Sequence, residues 1–306
     1  MNSNYDVIII GAGPAGLSAG VYTSRNGLRT LLLDKGTIGG KLPDRELIEN
    51  YPSYPEGISG AELATRIFEH ATAFGAELEF DTAEAITTEG NRRIVQTSQG
   101  EYVTKAIIIA GGARNKKLLV PGEEEFGGRG VFYCATCDGP AFANKVVAVA
   151  GSGDSGLTET LCLAEYVKKV IVIEALDRCG ATKLLQKRVL SDPKIEIRLS
   201  NRIEAVLGDE RVTALTLADS SGQRSTIEVD GLLVWIGMEP NTDYLHGTVE
   251  LDKEGSVLVD YRMATAVPGV FAAGDIRHQS AMQVATAVGD GATAAINAHK
   301  FIIEFE

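Results

Sequence analysis

At 306 residues the chain is longer than one hydrophobic core usually serves, so two domains are expected. A formal charge of −12 excludes nucleic acid and anionic membrane surfaces as partners, because both would repel it, and no apolar run approaches the roughly 20 residues that cross a bilayer. Four cysteines are too few for a disulfide framework in a chain this long, and Met1-Asn2-Ser3-Asn4 lacks the basic start of a signal peptide, so a reducing, cytoplasmic setting is expected.

Val7 to Ile10 is a continuous β-branched run, as in a strand buried on both faces. Gly11-Ala12-Gly13-Pro14-Ala15-Gly16 follows, then an Ala-rich helix to about Asn26-Gly27, and a strand from Thr30 to Leu33 that ends at Asp34. A strand over Ala106 to Ala110 leads into a turn-rich join, Gly111-Gly112-Ala113-Arg114 through Pro121-Gly122. The opening grammar then restarts. Val146 to Ala150 reads as a strand, Gly151-Ser152-Gly153-Asp154-Ser155-Gly156 as a turn, and a helix and a strand from Val170 to Ile173 end at Glu174. A second join, Gly237-Met238-Glu239-Pro240-Asn241, follows a strand over Leu232 to Ile236. The last segment, Gly269 to Asp275, is a strand and turn before an Ala-rich helix from about Ala281 to Phe301. Two strand–glycine–helix–strand units predict an α/β chain of two Rossmann-like dinucleotide-binding domains, each with three-layer ββα architecture. The second is inserted into the first, with residues 1–112 and 241–306 forming one domain and 113–240 the other.

A lone GxGxxG is weak evidence, but this one has a buried strand before it, a helix after it and an acid closing the next strand. Gly11 permits the tight turn, Gly13 lets backbone meet a pyrophosphate, and Gly16 allows helix and strand to pack closely. The helix start offers free N–H groups and partial positive charge, and Asp34 suits adenosine ribose hydroxyls. Asp275, in Ala273-Gly274-Asp275, reads either as a helix N-cap or as a carboxylate reaching the ribityl or pyrophosphate part of a flavin. Paired with the first loop the second reading is preferred, which makes FAD the cofactor of the first domain.

Cys134 and Cys137 are the chemical centre. Zinc needs four ligands, whereas Cys162 and Cys179 are isolated and the four histidines scattered, so no metal site is expected. Two residues between cysteines let a small disulfide ring close if Cys134 begins a helix, where the dipole lowers a thiol pKa. Asp138 reads equally as a general acid or base for thiol protons and as a capping carboxylate. Cys162 fits a small core residue within a helix over Gly156 to Tyr166, and Cys179 is incidental.

These blocks, with Gly39-Gly40, Ile48-Glu49-Asn50-Tyr51-Pro52, Cys134-Ala135-Thr136-Cys137-Asp138-Gly139 and Phe271-Ala272-Ala273-Gly274-Asp275, resemble the low-molecular-weight thioredoxin reductases over almost the full length, in order and at compatible spacing. The resemblance implies a homodimer with FAD in the discontinuous domain and nicotinamide in the inserted one. Cys137 would take electrons from the flavin, Cys134 would attack the thioredoxin disulfide, and Asp138 would protonate the leaving thiolate. The FAD set it implies comprises Gly11, Gly13, Pro14, Ala15, Gly16, Asp34, Lys35, Gly39, Gly40, Lys41, Asn50, Gly112, Gly274, Asp275, Gln283 and Val284. Because the CxxC and the nicotinamide cannot touch the flavin together, the family alternates two domain orientations, and the two joins are the expected hinges.

The departures concern the donor. NADPH-using relatives carry His-Arg-Arg-x-x-x-Arg where this chain, aligned on Ala181 to Leu185, reads Glu174-Ala175-Leu176-Asp177-Arg178-Cys179-Gly180. A carboxylate at 174 would repel a 2′-phosphate and suits the free hydroxyls of NADH, whose site would use Gly151, Gly153, Asp154, Ser155, Gly156 and Glu174. Met282 and Lys41 stand where relatives usually have arginine and glutamine. NADH is therefore the expected donor, a reduced protein such as ferredoxin or a deazaflavin the alternative, and NADPH third. The expected partner is thioredoxin or a thioredoxin-like protein. A small-molecule dithiol oxidase would need no second glycine loop, a flavin-bearing redox sensor has only the altered donor stretch in its favour, and ferredoxin–NADP⁺ reductase chemistry would need no CxxC.

Overall fold

The computed structural model describes residues 2–45 and 47–305 of the chain. In chain order it begins with β1 (Asn2–Ile10), α1 (Pro14–Arg25), β2 (Thr30–Asp34), α2 (Gly60–Ala73), β3 (Glu77–Phe80), β4 (Ala83–Glu89), β5 (Arg92–Thr97), β6 (Gly100–Ile109) and β7 (Ala113–Asn115). Next come β8 (Val131–Phe132), α3 (Ala135–Asp138), β9 (Val146–Ala150), α4 (Asp154–Tyr166), β10 (Lys169–Ile173), α5 (Lys183–Leu190), β11 (Ile195–Arg198), β12 (Asn201–Gly208), β13 (Val212–Asp219), β14 (Arg224–Glu228) and β15 (Gly231–Val234). β16 (Met238–Pro240), β17 (Val270–Ala272) and α6 (Val284–Phe305) complete it. The chain divides into two compact units, Met1–Arg114 with Glu239–Glu306, and Asn115–Met238. The connecting strands β7 and β16 pair with each other.

In the discontinuous unit the sheet runs β3-β2-β1-β6-β5-β4, with β17 also on β6. Its β1, β2, β3, β6 and β17 pairings are parallel, and β4-β5-β6 are antiparallel. Alternation along each strand sorts the side chains onto two faces. Val7, Ile9, Leu32 and Ile108 pack with Leu17 of α1 and Ala294 and Ala298 of α6. Ile8, Ile10, Leu31, Leu33 and Ile109 meet Ile86, Val95 and Tyr102 of the antiparallel strands. β6 is twice the length that its apolar run suggests, because its first half, Gly100 to Thr104, pairs antiparallel with β5 while Tyr102 and Thr104 also pair with β1 on the other side.

The inserted unit repeats the plan. Five parallel strands run β11-β10-β9-β15-β8, and β12-β13-β14 form an antiparallel layer. Val147, Val149, Val170, Val172 and Leu233 face Leu157 and Leu163 of α4, while Ala148, Ile171, Ile173 and Leu232 face Ile203, Leu215, Leu217 and Ile227. Both units are thus three-layered, with helices on one face of a buried parallel sheet and antiparallel strands on the other. The final helix starts three residues later than its alanine pattern suggests. Gln279 and Met282 take left-handed backbone, φ 55° and 52°, which holds the preceding stretch out of the helix.

Candidate functional site

The two glycine loops are built alike. Each lies between a buried strand and a helix whose first positions expose free N–H groups. In the first, Gly11 sits at φ 107°, and a Cβ there would come within 2.4 Å of the Ala110 carbonyl oxygen. A Cβ on Gly16 would lie 1.8 Å from the Gly11 oxygen, so only glycine lets α1 pack this closely. At Gly13 the nearest atom would be Gly40 Cα at 3.9 Å, which leaves the backbone open to a ligand. Asp34 ties the loop, its Oδ2 accepting from Ala12 N at 2.8 Å and its Oδ1 from Gly36 N and Thr37 N, each at 2.9 Å. Gly39 N donates to Ala12 O at 2.7 Å, which brings Gly39-Gly40 across the loop.

Beside this loop is a cavity of about 220 Å³ lined by Gly11, Asp34, Lys35, Asp81, Gly111 and Tyr244, among others. The Tyr244 hydroxyl in its wall is buried with no hydrogen-bond partner. Such an orphan polar atom, an open glycine cradle and an acid at the strand end together fit the adenosine and pyrophosphate end of FAD. Farther along, Asn50 Nδ2 donates to Gln283 Oε1 at 2.8 Å, which brings together two residues 233 positions apart. Asp275 follows Gly274 (φ 80°) in a short helical turn whose N-cap is Ala273, so the capping alternative for Asp275 is not what forms. Its carboxyl accepts from Ser280 Oγ at 3.3 Å; burial pushes its pKa up, and Lys41 pulls against that. Gly112 takes φ 63° and its carbonyl accepts from Asn241 N at 3.0 Å, while Val284, Lys35, Pro14 and Ala15 stand at helix starts or on the cavity wall.

The second loop copies the first. Gly151 has φ 100°, a Cβ on Gly156 would lie 2.6 Å from the Gly151 oxygen, and around Gly153 there is no atom within 4 Å of such a Cβ. Glu174 plays the part of Asp34: Oε2 accepts from Ser152 N (2.9 Å) and Oγ (2.6 Å), and Oε1 from Leu176 N (2.9 Å). Ala181 N donates to Ser152 O at 3.0 Å and Thr182 N to Asp154 Oδ1 at 2.6 Å, so the stretch after β10 folds over the loop. Ser155 is exposed in the first turn of α4, and Leu176 projects into solvent with 60% of its surface exposed.

Cys134 and Cys137 form a disulfide with Cα atoms 5.4 Å apart. Cys134 is the N-cap of α3, half-buried, and its Sγ accepts from Cys137 N at 3.1 Å; Cys137 is exposed. Asp138 makes no capping bond, so the alternative reading of it as a cap is not supported. Its side chain reaches solvent, yet the protein packed around it raises its pKa above the ordinary carboxylate range.

A buried frame surrounds this turn, and sequence reasoning did not find it. The Tyr133 carbonyl accepts from Trp235 Nε1 at 3.1 Å, and the Tyr133 hydroxyl donates to Glu123 Oε1 at 3.0 Å. Glu123, 2% exposed, also accepts from Leu118 N and Leu119 N. Ala135 N donates to Glu159 Oε2 at 2.8 Å, and Thr136 Oγ1 lies 3.5 Å from Cys162 Sγ. One signal for it is legible in the sequence: Glu159 lies one helical turn before Cys162, on the segment whose pattern puts Cys162 in the core. Among the described residues no group of three or more His, Cys, Asp or Glu side chains could hold a metal, and no helix is long and apolar enough to cross a membrane.

The family model of the pyridine nucleotide-disulphide oxidoreductases matches residues 5–291. The thioredoxin reductase of Bacillus subtilis is 40% identical over 304 residues, covering 99% of this chain and 96% of that protein. The crystal structure of Lactococcus lactis thioredoxin reductase superposes with a TM-score of 0.96 at 37% identity, over 98% of this chain and 99% of that one. A ferredoxin-flavin thioredoxin reductase from Clostridium acetobutylicum is 28% identical over 99% of each chain, with a TM-score of 0.55. By this match over nearly its whole length, the chain belongs to the thioredoxin reductases of the pyridine nucleotide-disulphide oxidoreductase family.

Proposed function

We propose that the chain is an FAD-dependent thioredoxin-disulfide reductase that takes electrons from NADH and passes them through Cys134–Cys137 to thioredoxin or a thioredoxin-like protein. The observation that carries this reading is the disulfide itself, closed by exposed Cys137 and by Cys134, which is held half-buried at a helix start. Bound FAD supplies a two-electron relay between donor and disulfide. The residues proposed to hold it are the first glycine loop, Asp34, Lys35, Gly39, Gly40, Lys41, Asn50, Gly112, Gly274, Asp275, Gln283 and Val284.

The chain's own chemistry then follows. Two electrons delivered to Cys137 break the S–S bond and leave Cys134 as the attacking sulfur. Cys134 bonds to one sulfur of the partner's disulfide, and the other leaves as a thiolate that Asp138 protonates. Cys137 closes back on Cys134 and releases the reduced partner, so each turnover moves two electrons and restores the disulfide.

The NADH assignment rests on Glu174, which stands at the strand end where a 2′-phosphate site needs cations, and on a second loop kept intact at Gly151, Gly153 and Gly156. Mixing oxidised holoenzyme anaerobically with each nicotinamide tests it: NADH is expected to bleach the flavin band, and NADPH much more slowly. Should neither bleach it, the donor is not a nicotinamide. Similarity to a ferredoxin-flavin thioredoxin reductase favours reduced ferredoxin as the second reading, with a deazaflavin beside it. The homodimer implied by the resemblance is checked by light scattering on the same preparation.

A further inference from the structure

Arg277 and Asp290 have no role in the chemistry above, yet they form an ion pair with only 16% and 9% of their side chains exposed. Arg277 Nε and Nη2 grip Asp290 Oδ2 and Oδ1 at 2.7 and 3.0 Å, and Arg277 Nη1 donates to the His278 carbonyl at 2.9 Å. Asp290 Oδ2 also accepts from Gly274 N at 3.2 Å, so the pair ties α6 to the turn that carries Asp275. The same stretch of α6 is pressed on the first glycine loop. A Cβ on Gly291 would lie 2.0 Å from the Ala15 oxygen, and one on Gly274 would lie 2.9 Å from Ala15 Cβ. Nearby, Ser18 Oγ of α1 donates to the Val288 carbonyl at 2.8 Å. The start of α1, the Gly274 turn and α6 thus meet at Ala15, and the Asp290 side chain joins the last two.

A buried ion pair is often no more stabilising than apolar residues of similar volume, because desolvating two charges offsets most of their attraction. What it does supply is geometry, since a guanidinium and a carboxylate joined by two bonds hold one mutual orientation. Gly274 needs that help. It sits at φ 80° with no side chain to restrain it, and the bond to Asp290 fixes its backbone from outside. Charge argues the same way. Burial raises the pKa of the Asp275 carboxyl, Asp290 pushes in the same direction, and Arg277 opposes it, so the cation keeps Asp290 from adding a bare negative charge beside an anionic pyrophosphate. We propose that Arg277 and Asp290 are positioning residues of the FAD site, which hold the Gly274 amide and so set the Asp275 turn against the start of α1 for the bound cofactor. This rests on the FAD reading of the first glycine loop and Asp275.

The test uses full-length protein stripped of its flavin, with the melting temperature of the apoprotein and the Kd for added FAD, read from flavin fluorescence, measured side by side. Replacing both partners, Arg277→Met with Asp290→Leu, keeps their approximate shapes and removes both charges, so the apoprotein should melt near wild type. Its Kd for FAD should nevertheless rise about tenfold, because the Gly274 amide has lost its acceptor. Arg277→Met with Asp290→Asn restores an acceptor oxygen and should bring the Kd back to within about threefold of wild type. A Met/Leu protein that binds FAD like wild type, or a Met/Asn protein that binds as weakly as the Met/Leu one, would overturn the proposal. If the Met/Leu protein does not fold, Arg277→Lys decides, since lysine keeps the charge but not the two-bonded grip. A Kd raised about threefold at an unchanged melting temperature supports the assignment, and an unchanged Kd overturns it. Wild-type apoprotein that takes up no FAD would instead defeat the proposed function, a result distinct from any difference between variants and a wild type that binds.

Discussion

Cys134 and Asp138 carry the sharpest expectations at the level of single side chains. Cys134→Ser should abolish reduction of a thioredoxin disulfide while the donor still bleaches the flavin, and stopped-flow absorbance separates the two steps. Thioredoxin turnover retained in that variant would show that another sulfur attacks. For Asp138 the sign of the pH effect follows from its environment. Burial raises its pKa, so the protonated, donating form persists to higher pH than an ordinary carboxyl would allow and is lost as pH rises through that raised value. Partner reduction should therefore fall on the alkaline side, and Asp138→Asn should lower the rate by about 10²-fold and flatten that limb of the kcat/KM profile. A profile unchanged in the Asn variant would assign the proton to another group. These residues were legible because their spacing alone implies chemistry. Tyr133, Glu123, Glu159 and Trp235 were not, because the contacts that give them meaning span 10 to 102 positions, and each residue by itself reads as ordinary core or surface.

At the level of elements, the two glycine loops show how one short pattern can be tested by position. Gly13→Ala adds a methyl that would meet only Gly40 Cα at 3.9 Å, so the fold should survive while the pyrophosphate loses its approach. Gly16→Ala drives a methyl to 1.8 Å from the Gly11 oxygen and must push α1 off β1. Overpacking of that kind costs about 1–3 kcal/mol or more. Thermal melts with flavin content per chain should then separate them: Gly13→Ala melts near wild-type apoprotein but is colourless, and Gly16→Ala loses both. A yellow Gly13→Ala protein would remove that position from the cofactor cradle. The same pattern reappears at Gly151, Gly153 and Gly156, tied by Glu174 as the first is tied by Asp34. What the pattern does not reveal is element length: β6 extends through a pairing with β5, and α6 begins late because Gln279 and Met282 turn the backbone first.

The molecule as a whole is two cores threaded by one chain. Every residue of the two clusters that face β9, β10 and β15 lies in Asn115–Met238, and the clusters around β1, β2 and β6 lie in the remainder. The ends of the insertion are already adjacent, with Lys116 N donating to Gly237 O at 2.9 Å. An isolated 115–238 fragment should therefore fold cooperatively, form the Cys134–Cys137 disulfide under oxidising conditions and bind no FAD. Circular dichroism during urea unfolding checks the first point, and absorbance after incubation with FAD checks the last. A fragment without a cooperative transition would show that its cores depend on the rest of the chain.

Local rules were enough to determine the two strand–glycine–helix units, the redox pair and the acids that close each loop. These features depend on neighbours within a few residues, where backbone sterics and free helix-end amides leave few alternatives. Tertiary structure alone decided which groups surround the disulfide, how Asn50 meets Gln283, and which hydroxyl is left without a partner in the cavity wall. Those meetings are set when distant strands and helices pack their apolar faces together, and residues far apart in the chain carry no mark of which partner that packing will bring to them.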